Sequence, residues 1–183
     1  MEEIRFHGRG GQGTVVASIL MARAFFAAGF QVQTFPLFGV ERRGAPVEAY
    51  LRIDRQKILV RSNLYAPDHV VVLDRRLLAI VDVTQGLKPG GWIVLNAPQK
   101  LENSADFDGF RLACVDATGI AIQNRLGTAT HPIINTAMLG ALACVLGTPP
   151  PAMISDAIRE EIEIFPERNI QAAQDAYETV VKD

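Results

Sequence analysis

Gly8, Arg9, Gly10, Gly11, Gln12 and Gly13 form a stretch whose residue types and spacing suit the holding of an anion. A short strand over residues 4–7 (Ile-Arg-Phe-His) leads into it, and a helix is expected to begin near Thr14. Glycine accepts positive φ and lets a ligand come close to the backbone, while the free N–H groups of the following helix point at whatever lies on the loop. Phosphate or carboxylate is the chemistry such a junction serves. Gly8, Gly10 and Gly13 also satisfy G-x-G-x-x-G, the dinucleotide-binding pattern. Its usual companion is an acid about 20 residues further on, at the end of the second strand, where it holds a ribose hydroxyl. Residues 31–35 read Gln-Val-Gln-Thr-Phe and carry no acid, which disfavours a nicotinamide site. The remaining reading of the glycines is a tight turn that packs helix on strand.

A second candidate lies in residues 38–46, Phe-Gly-Val-Glu-Arg-Arg-Gly-Ala-Pro. Arg42 and Arg43 are adjacent in a loop at the carboxyl end of a strand, where open α/β sheets bind their ligands. They could grip a phosphate or a partner's carboxylates through charge-assisted bonds, or pair with the nearby Glu41 and Glu48. No convincing nucleophile–base pair is present. His7, His69 and His131 stand singly at strand and helix ends, where structural roles are expected, although His7 abuts the glycine loop.

The 183 residues, 49% of them hydrophobic, suffice for a proper core but not for two full-sized domains, so a single domain over 1–183 is expected. A net charge of −2 and a pI near 5.9 give no basic field for nucleic acid. Arg supplies 14 of the 18 basic residues, and its planar fork suits ion pairs and phosphates better than the lysine point charge. Cys114 and Cys144 stand apart, each in an apolar run, with no C-x-x-C or His/Cys cluster. They read as buried thiols in a reducing cytoplasm, with no disulfide framework, metal site or iron–sulfur site signalled. The start, Met-Glu-Glu, does not read as a signal peptide, and residues 133–147 are too short to span a bilayer. A cytoplasmic chain with no membrane contact is expected.

The elements that must position these loops alternate. Strands are expected at 4–7, 31–35, 47–53, 68–74, 92–95 and 111–115, with a short one at 58–60 in an antiparallel or irregular central insertion. The run Asp-His-Val-Val-Val-Leu-Asp at 68–74 suits a central strand covered on both faces. Helices are expected at 14–28, 76–83 and 117–126. Three more close the chain: 132–146, one carrying Ile154, Ile158 and Ile162, and one from Glu167 with Ile170, Ala173, Tyr177 and Val180 on one stripe. The pattern predicts an α/β fold, an open, mostly parallel twisted sheet with helices on both faces, Rossmann-like, with a helical C-terminus.

Four runs together, GRGGQG at 8–13, FGVERRGAPVEAYLRI at 38–53, NLYAPDHVVVLD at 63–74 and HPIINTAMLGAL at 131–142, resemble the gamma subunit of 2-oxoacid:ferredoxin oxidoreductases, the pyruvate synthase group in particular. The likeness spans nearly the whole chain in the family's order, with Val40 where the family pattern has Pro. It implies a subunit without a complete active site of its own. The complex would decarboxylate a 2-oxoacid on thiamine diphosphate with Mg2+, pass electrons through [4Fe-4S] clusters to ferredoxin, and transfer the acyl group to coenzyme A. Alpha, beta and delta-type subunits would be the partners and carry those cofactors. The gamma-type domain would line the coenzyme A entrance and the subunit interface. Carried onto this chain, that role falls to Gly8 through Gly13 and to Arg42 and Arg43, with Asn135 and Thr136 at a helix start as further candidates. Two other functions compete: a freestanding nucleotide-binding reductase, and a purely structural interaction subunit whose arginines only meet a partner's carboxylates.

Overall fold

In the first strand, β1 (Glu2–Arg9), Ile4 and Phe6 face one side of the sheet and Arg5 and His7 the other, and all four are buried. This one strand therefore carries two kinds of packing. The computed structural model describes residues 1–37, 44–98 and 107–183. After β1 come α1 (Thr14–Ala27), β2 (Gln31–Leu37), β3 (Pro46–Asp54), β4 (His69–Val72), a 3-10 helix (Arg75–Ala79), β5 (Trp92–Asn96) and β6 (Arg111–Val115). The chain continues through α2 (Ala117–Gln123), the short pair β7 (Gly127–Thr128) and β8 (His131–Pro132), α3 (Asn135–Leu146), α4 (Pro151–Glu161), α5 (Pro166–Thr179) and β9 (Val181–Lys182).

The main sheet has seven strands in the order β2-β3-β1-β4-β5-β6-β9. β1, β4, β5 and β6 run parallel, β3 pairs antiparallel with both β1 and β2, and β9 closes the far edge antiparallel to β6. From β1 the chain first builds outward through β2 and β3, then crosses back to β4. The carboxyl ends of β1 and β4 thus flank a topological switch point, the crevice where open α/β sheets bind ligands. The mostly parallel, Rossmann-like α/β fold with a helical C-terminus is the architecture expected from the alternation of elements, but the helices expected on both faces all pack on one, because the segment after β4 forms only a 3-10 turn and coil.

One sheet face, with Phe6, Leu51, Val71, Val94 and Val115, packs against residues of all five α-helices in one continuous core. The other face is covered more thinly. Val70, Val72, Ile93 and Leu95 meet Val83, Leu87 and Phe107 from irregular segments, with Leu78 of the 3-10 helix alongside. Over β1 and β3 that face is polar. Arg52, 1% exposed, bonds Glu3 (2.8 Å), Gln33 (3.0 Å) and the Ser62 carbonyl (2.8 Å), and its guanidinium lies 5.2 Å from the Phe35 ring.

Three expected elements differ. Residues 58–60 form no strand; the coil there is tied to the sheet by Arg52 through the Ser62 and Asn63 carbonyls. The helix expected at 76–83 is only the 3-10 turn Arg75–Ala79, because Asp82 accepts from Thr84 N (3.0 Å) and Thr84 Oγ1 (2.7 Å) and starts a turn of its own. The helix expected from Pro132 begins at Asn135, since Pro132 pairs with Gly127 in the small β7–β8 ribbon. Cys114 is buried as expected, whereas Cys144 is only partly so.

Candidate functional site

The glycine run straddles an element boundary. Gly8 and Arg9 belong to β1, and Gly13 is the residue from which α1 starts. Arg9 N donates to Gln12 Oε1 (2.8 Å) and Gln12 N donates to the Arg9 carbonyl (3.0 Å), closing the turn from both sides. Gly11 (φ 93) and Gly13 (φ 75) are left-handed, a region a β-carbon disfavours. No side chain caps α1, which leaves the N–H groups of its first turn available.

The glycines do different jobs. A β-carbon at position 8 would collide with the Thr14 hydroxyl, itself buried and without a hydrogen-bond partner. One at position 13 would come within 2.7 Å of Asn135 Nδ2, so Gly13 is what lets α3 start against α1. Gly11 is exposed with open space around it, and there a ligand can reach the backbone.

The structure joins this turn to the stem of the arginine loop. Gly10 N donates to the Ala45 carbonyl (2.9 Å) and Gly44 N to the Gly10 carbonyl (3.1 Å), and the Arg9 guanidinium donates to the Gly44 carbonyl (3.0 Å). Arg42 and Arg43 themselves, with Val40, lie outside the described residues. Arg9 also donates through Nε to Asp74 Oδ2 (3.0 Å), and Gln12 Nε2 stands 3.4 Å from the same oxygen. Both side chains are thus engaged within the chain.

Asp74, just past β4, is the centre of the site, and the sequence reading did not single it out. Besides Arg9 and Gln12 it accepts from Arg76 N (3.0 Å), Nε (3.1 Å) and a terminal guanidinium nitrogen (2.9 Å). Burial alone would raise its carboxyl, but the bonds from Arg76 and the charges of Arg76 and Arg9 outweigh that and hold it below the usual carboxylate range. One signal could have found it: an acid closing an apolar strand and followed by Arg75 and Arg76.

The histidines fall outside this cluster. His7 Nε2 accepts from Arg5 Nε (2.9 Å), which places its proton on Nδ1, 3.5 Å from Glu48 Oε1. Burial, helped by the Arg5 charge, pushes its pKa down to about 3, so it is neutral. His69 Nδ1 accepts from Trp92 N (3.1 Å), which leaves Nε2 to donate to Glu2 (2.8 Å). His131 is exposed in β8. Among the described residues, no group of three or more His, Cys, Asp or Glu side chains is placed to hold a metal, and no helix is long and apolar enough to cross a membrane.

Residues 3–179 match the family described as pyruvate ferredoxin/flavodoxin oxidoreductase. This chain belongs to that family. It is 48% identical to the pyruvate/ketoisovalerate oxidoreductases common subunit gamma of Thermococcus kodakarensis over 99% of this chain and 98% of the relative. It is also 48% identical to pyruvate synthase subunit PorC of Methanothermobacter thermautotrophicus, over 100% and 97%. The crystal structure of pyruvate oxidoreductase subunit PORC from Thermotoga maritima superposes with a TM-score of 0.84 at 36% identity, covering 100% of this chain and 98% of that one. As a gamma-type member of the pyruvate ferredoxin/flavodoxin oxidoreductase family, the chain is one subunit of an oxidoreductase complex. Within that family's frame, Gly8 through Gly13, Asp74, Gly44 and Asn135 are what the fold brings together at the switch point.

Proposed function

We propose that this chain, acting as one gamma-type domain over 1–183, is the subunit through which a cytoplasmic 2-oxoacid:ferredoxin oxidoreductase, acting on pyruvate, admits coenzyme A. In this reading it completes no active site. Alpha, beta and delta-type partners carry thiamine diphosphate, Mg2+ and the [4Fe-4S] clusters that deliver electrons to ferredoxin. The crevice suits a phosphate rather than a metal, since the open Gly11 and the uncapped start of α1 offer backbone N–H donors. The observation that carries the reading is the pinning of the arginine-loop stem onto Gly10, beside the open Gly11 and the uncapped start of α1. The choice of pyruvate follows the names of the relatives. A freestanding dinucleotide enzyme fits less well, because β3 lies between β1 and β2 and no acid ends β2.

The test uses the reconstituted complex. Replacing Gly11 with Val, or both Arg42 and Arg43 with Ala, is expected to weaken coenzyme A binding tenfold or more while the subunits still co-elute; one lost charge-assisted contact costs about 1.5–3 kcal/mol. Arg→Lys should restore only part of the loss, because lysine cannot reproduce the planar fork. Dissociation of the complex would instead make the arginine loop an interface clamp. Unchanged assembly, affinity and turnover would remove both roles.

A further inference from the structure

Arg76 is exposed and fixed at the same time. Its side chain is 76% exposed, whereas that of Asp74 beside it is only 7% exposed. The two Asp74 oxygens accept from Arg76 Nε (3.1 Å) and from one terminal guanidinium nitrogen (2.9 Å), and Oδ1 also takes the Arg76 backbone N–H (3.0 Å). This is a two-pronged pairing of guanidinium with carboxylate, the geometry that fixes an arginine head most firmly. The other terminal nitrogen of Arg76 makes no hydrogen bond among the described residues, so donors remain on the side turned away from Asp74. An arginine held in this way has already given up much of the rotamer freedom that binding an anion would otherwise cost it.

The charge at this corner of the crevice is unbalanced. Arg9 and Arg76 share the single carboxylate of Asp74, and Arg75, exposed on the same 3-10 turn, makes no ion pair among the described residues. Three cations therefore stand against one anion. Glu48 of β3 does not offset them, because its carboxylate is turned to Tyr50 (2.7 Å) and His7 (3.5 Å). Gln12 Nε2, 3.4 Å from the Asp74 oxygen that Arg9 and Arg76 also meet, ties the cluster to the open Gly11 and the start of α1. Two positions for an anion thus adjoin, one of backbone N–H groups and one of guanidinium. Coenzyme A carries phosphate of two kinds to match. Its diphosphate is bridged on both sides and suits the backbone donors of a helix start, whereas the 3′-phosphate of its ribose is a terminal monoester with about two negative charges, the kind of group a planar guanidinium fits. We infer that Arg76, braced by Asp74 and with Arg75 beside it, takes the 3′-phosphate of coenzyme A and so sets a preference for the coenzyme over its 3′-dephospho form. This rests on the reading of the crevice as the coenzyme A entrance.

The test titrates coenzyme A and 3′-dephospho-coenzyme A into the reconstituted complex by calorimetry. The wild type should prefer coenzyme A. Arg76→Gln is expected to raise the Kd for coenzyme A about tenfold and to leave that for the dephospho form within about twofold. Because this change takes a partner from Asp74, Arg76→Lys is the second variant: it keeps a cation beside the carboxylate but not the fork, and should lose a smaller part of the affinity, for coenzyme A alone. Equal losses for the two ligands would reduce Arg76 to a brace for Asp74 and overturn the inference, as would no loss for either or a wild type that does not distinguish them. Loss of the other subunits from the Arg76→Gln complex would overturn it too, since the guanidinium would then be held for a partner's carboxylate. Gly11→Val reports on the underlying reading separately, because it blocks the diphosphate that both ligands carry. Weaker binding of both ligands leaves that reading standing whatever Arg76 does; unchanged binding of both would remove it.

Discussion

Asp74 braces the junction of the two candidate loops, because its carboxylate fixes Arg9, and Arg9 holds Gly44. Asp74→Asn removes the charge but keeps the shape, and should cost about 1.5–3 kcal/mol in urea denaturation of the full chain. A change below about 0.5 kcal/mol, the usual size for a surface site, would show that Arg9 needs no such anchor. His7 makes a prediction of the opposite chemical kind. The folded chain holds its pKa near 3 while the unfolded chain has it near 6.5, so the unfolded state takes up the proton first as pH falls. The stability that neutral His7 contributes is fully present above about pH 6.5 and lost progressively towards pH 3. His7→Gln keeps an acceptor for Arg5 and cannot titrate, so between pH 6.5 and 4.5 the wild type should lose stability more steeply than the variant; parallel slopes would contradict the burial of a neutral ring.

Among the elements, α3 and α5 carry the closest approach. Thr136 meets Asn169 and Gly140 meets Ala173, the same offset of 33 residues, so the two helices run parallel with their starts at one end. A β-carbon at 140 would strike the Ala173 carbonyl. Gly140→Val should therefore destabilise by about 1–3 kcal/mol, the ordinary cost of overpacking; an unchanged melting temperature would mean that the helices can slide apart freely. Ala137, Gly140 and Ala141 are small residues that let another backbone come close, a sign of such an approach within the sequence itself. The boundary of α3 carries no such sign, because whether Pro132 opens a helix or joins a ribbon depends on Gly127, a residue that lies across the turn. The 3-10 turn was hidden for a similar reason: Asp82 chose Thr84 over the helix, a local competition that periodicity does not register.

At the scale of the molecule, the pure full chain should show no visible iron–sulfur absorbance and no turnover of a 2-oxoacid until the other subunits are added. Activity from this chain alone would refute the proposal that it completes no active site. Over β1 and β3 its second sheet face is polar, and the coil that covers it is held by Arg5 and Arg52.

The glycine run, the buried strand at 68–74, the amphipathic pattern of the last two helices and the family itself were all determined by the sequence, because each rests on residues adjacent in the chain or repeating with a helix or strand period. The arrangement of the site was decided by tertiary structure. Gly13 owes its identity to Asn135, the two loops are joined by Gly10 with Ala45 and Gly44, and the junction is braced by Asp74, 65 residues from the Arg9 it holds. No local pattern carries such pairings, since they exist only after β3 has paired with β1 and the chain has crossed back to β4. The left-handed conformation of Phe165 (φ 54) has tertiary support too: its carbonyl accepts from Asn169, whose side chain accepts from Thr136 of α3, and nothing in the run Ile-Phe-Pro-Glu announces it.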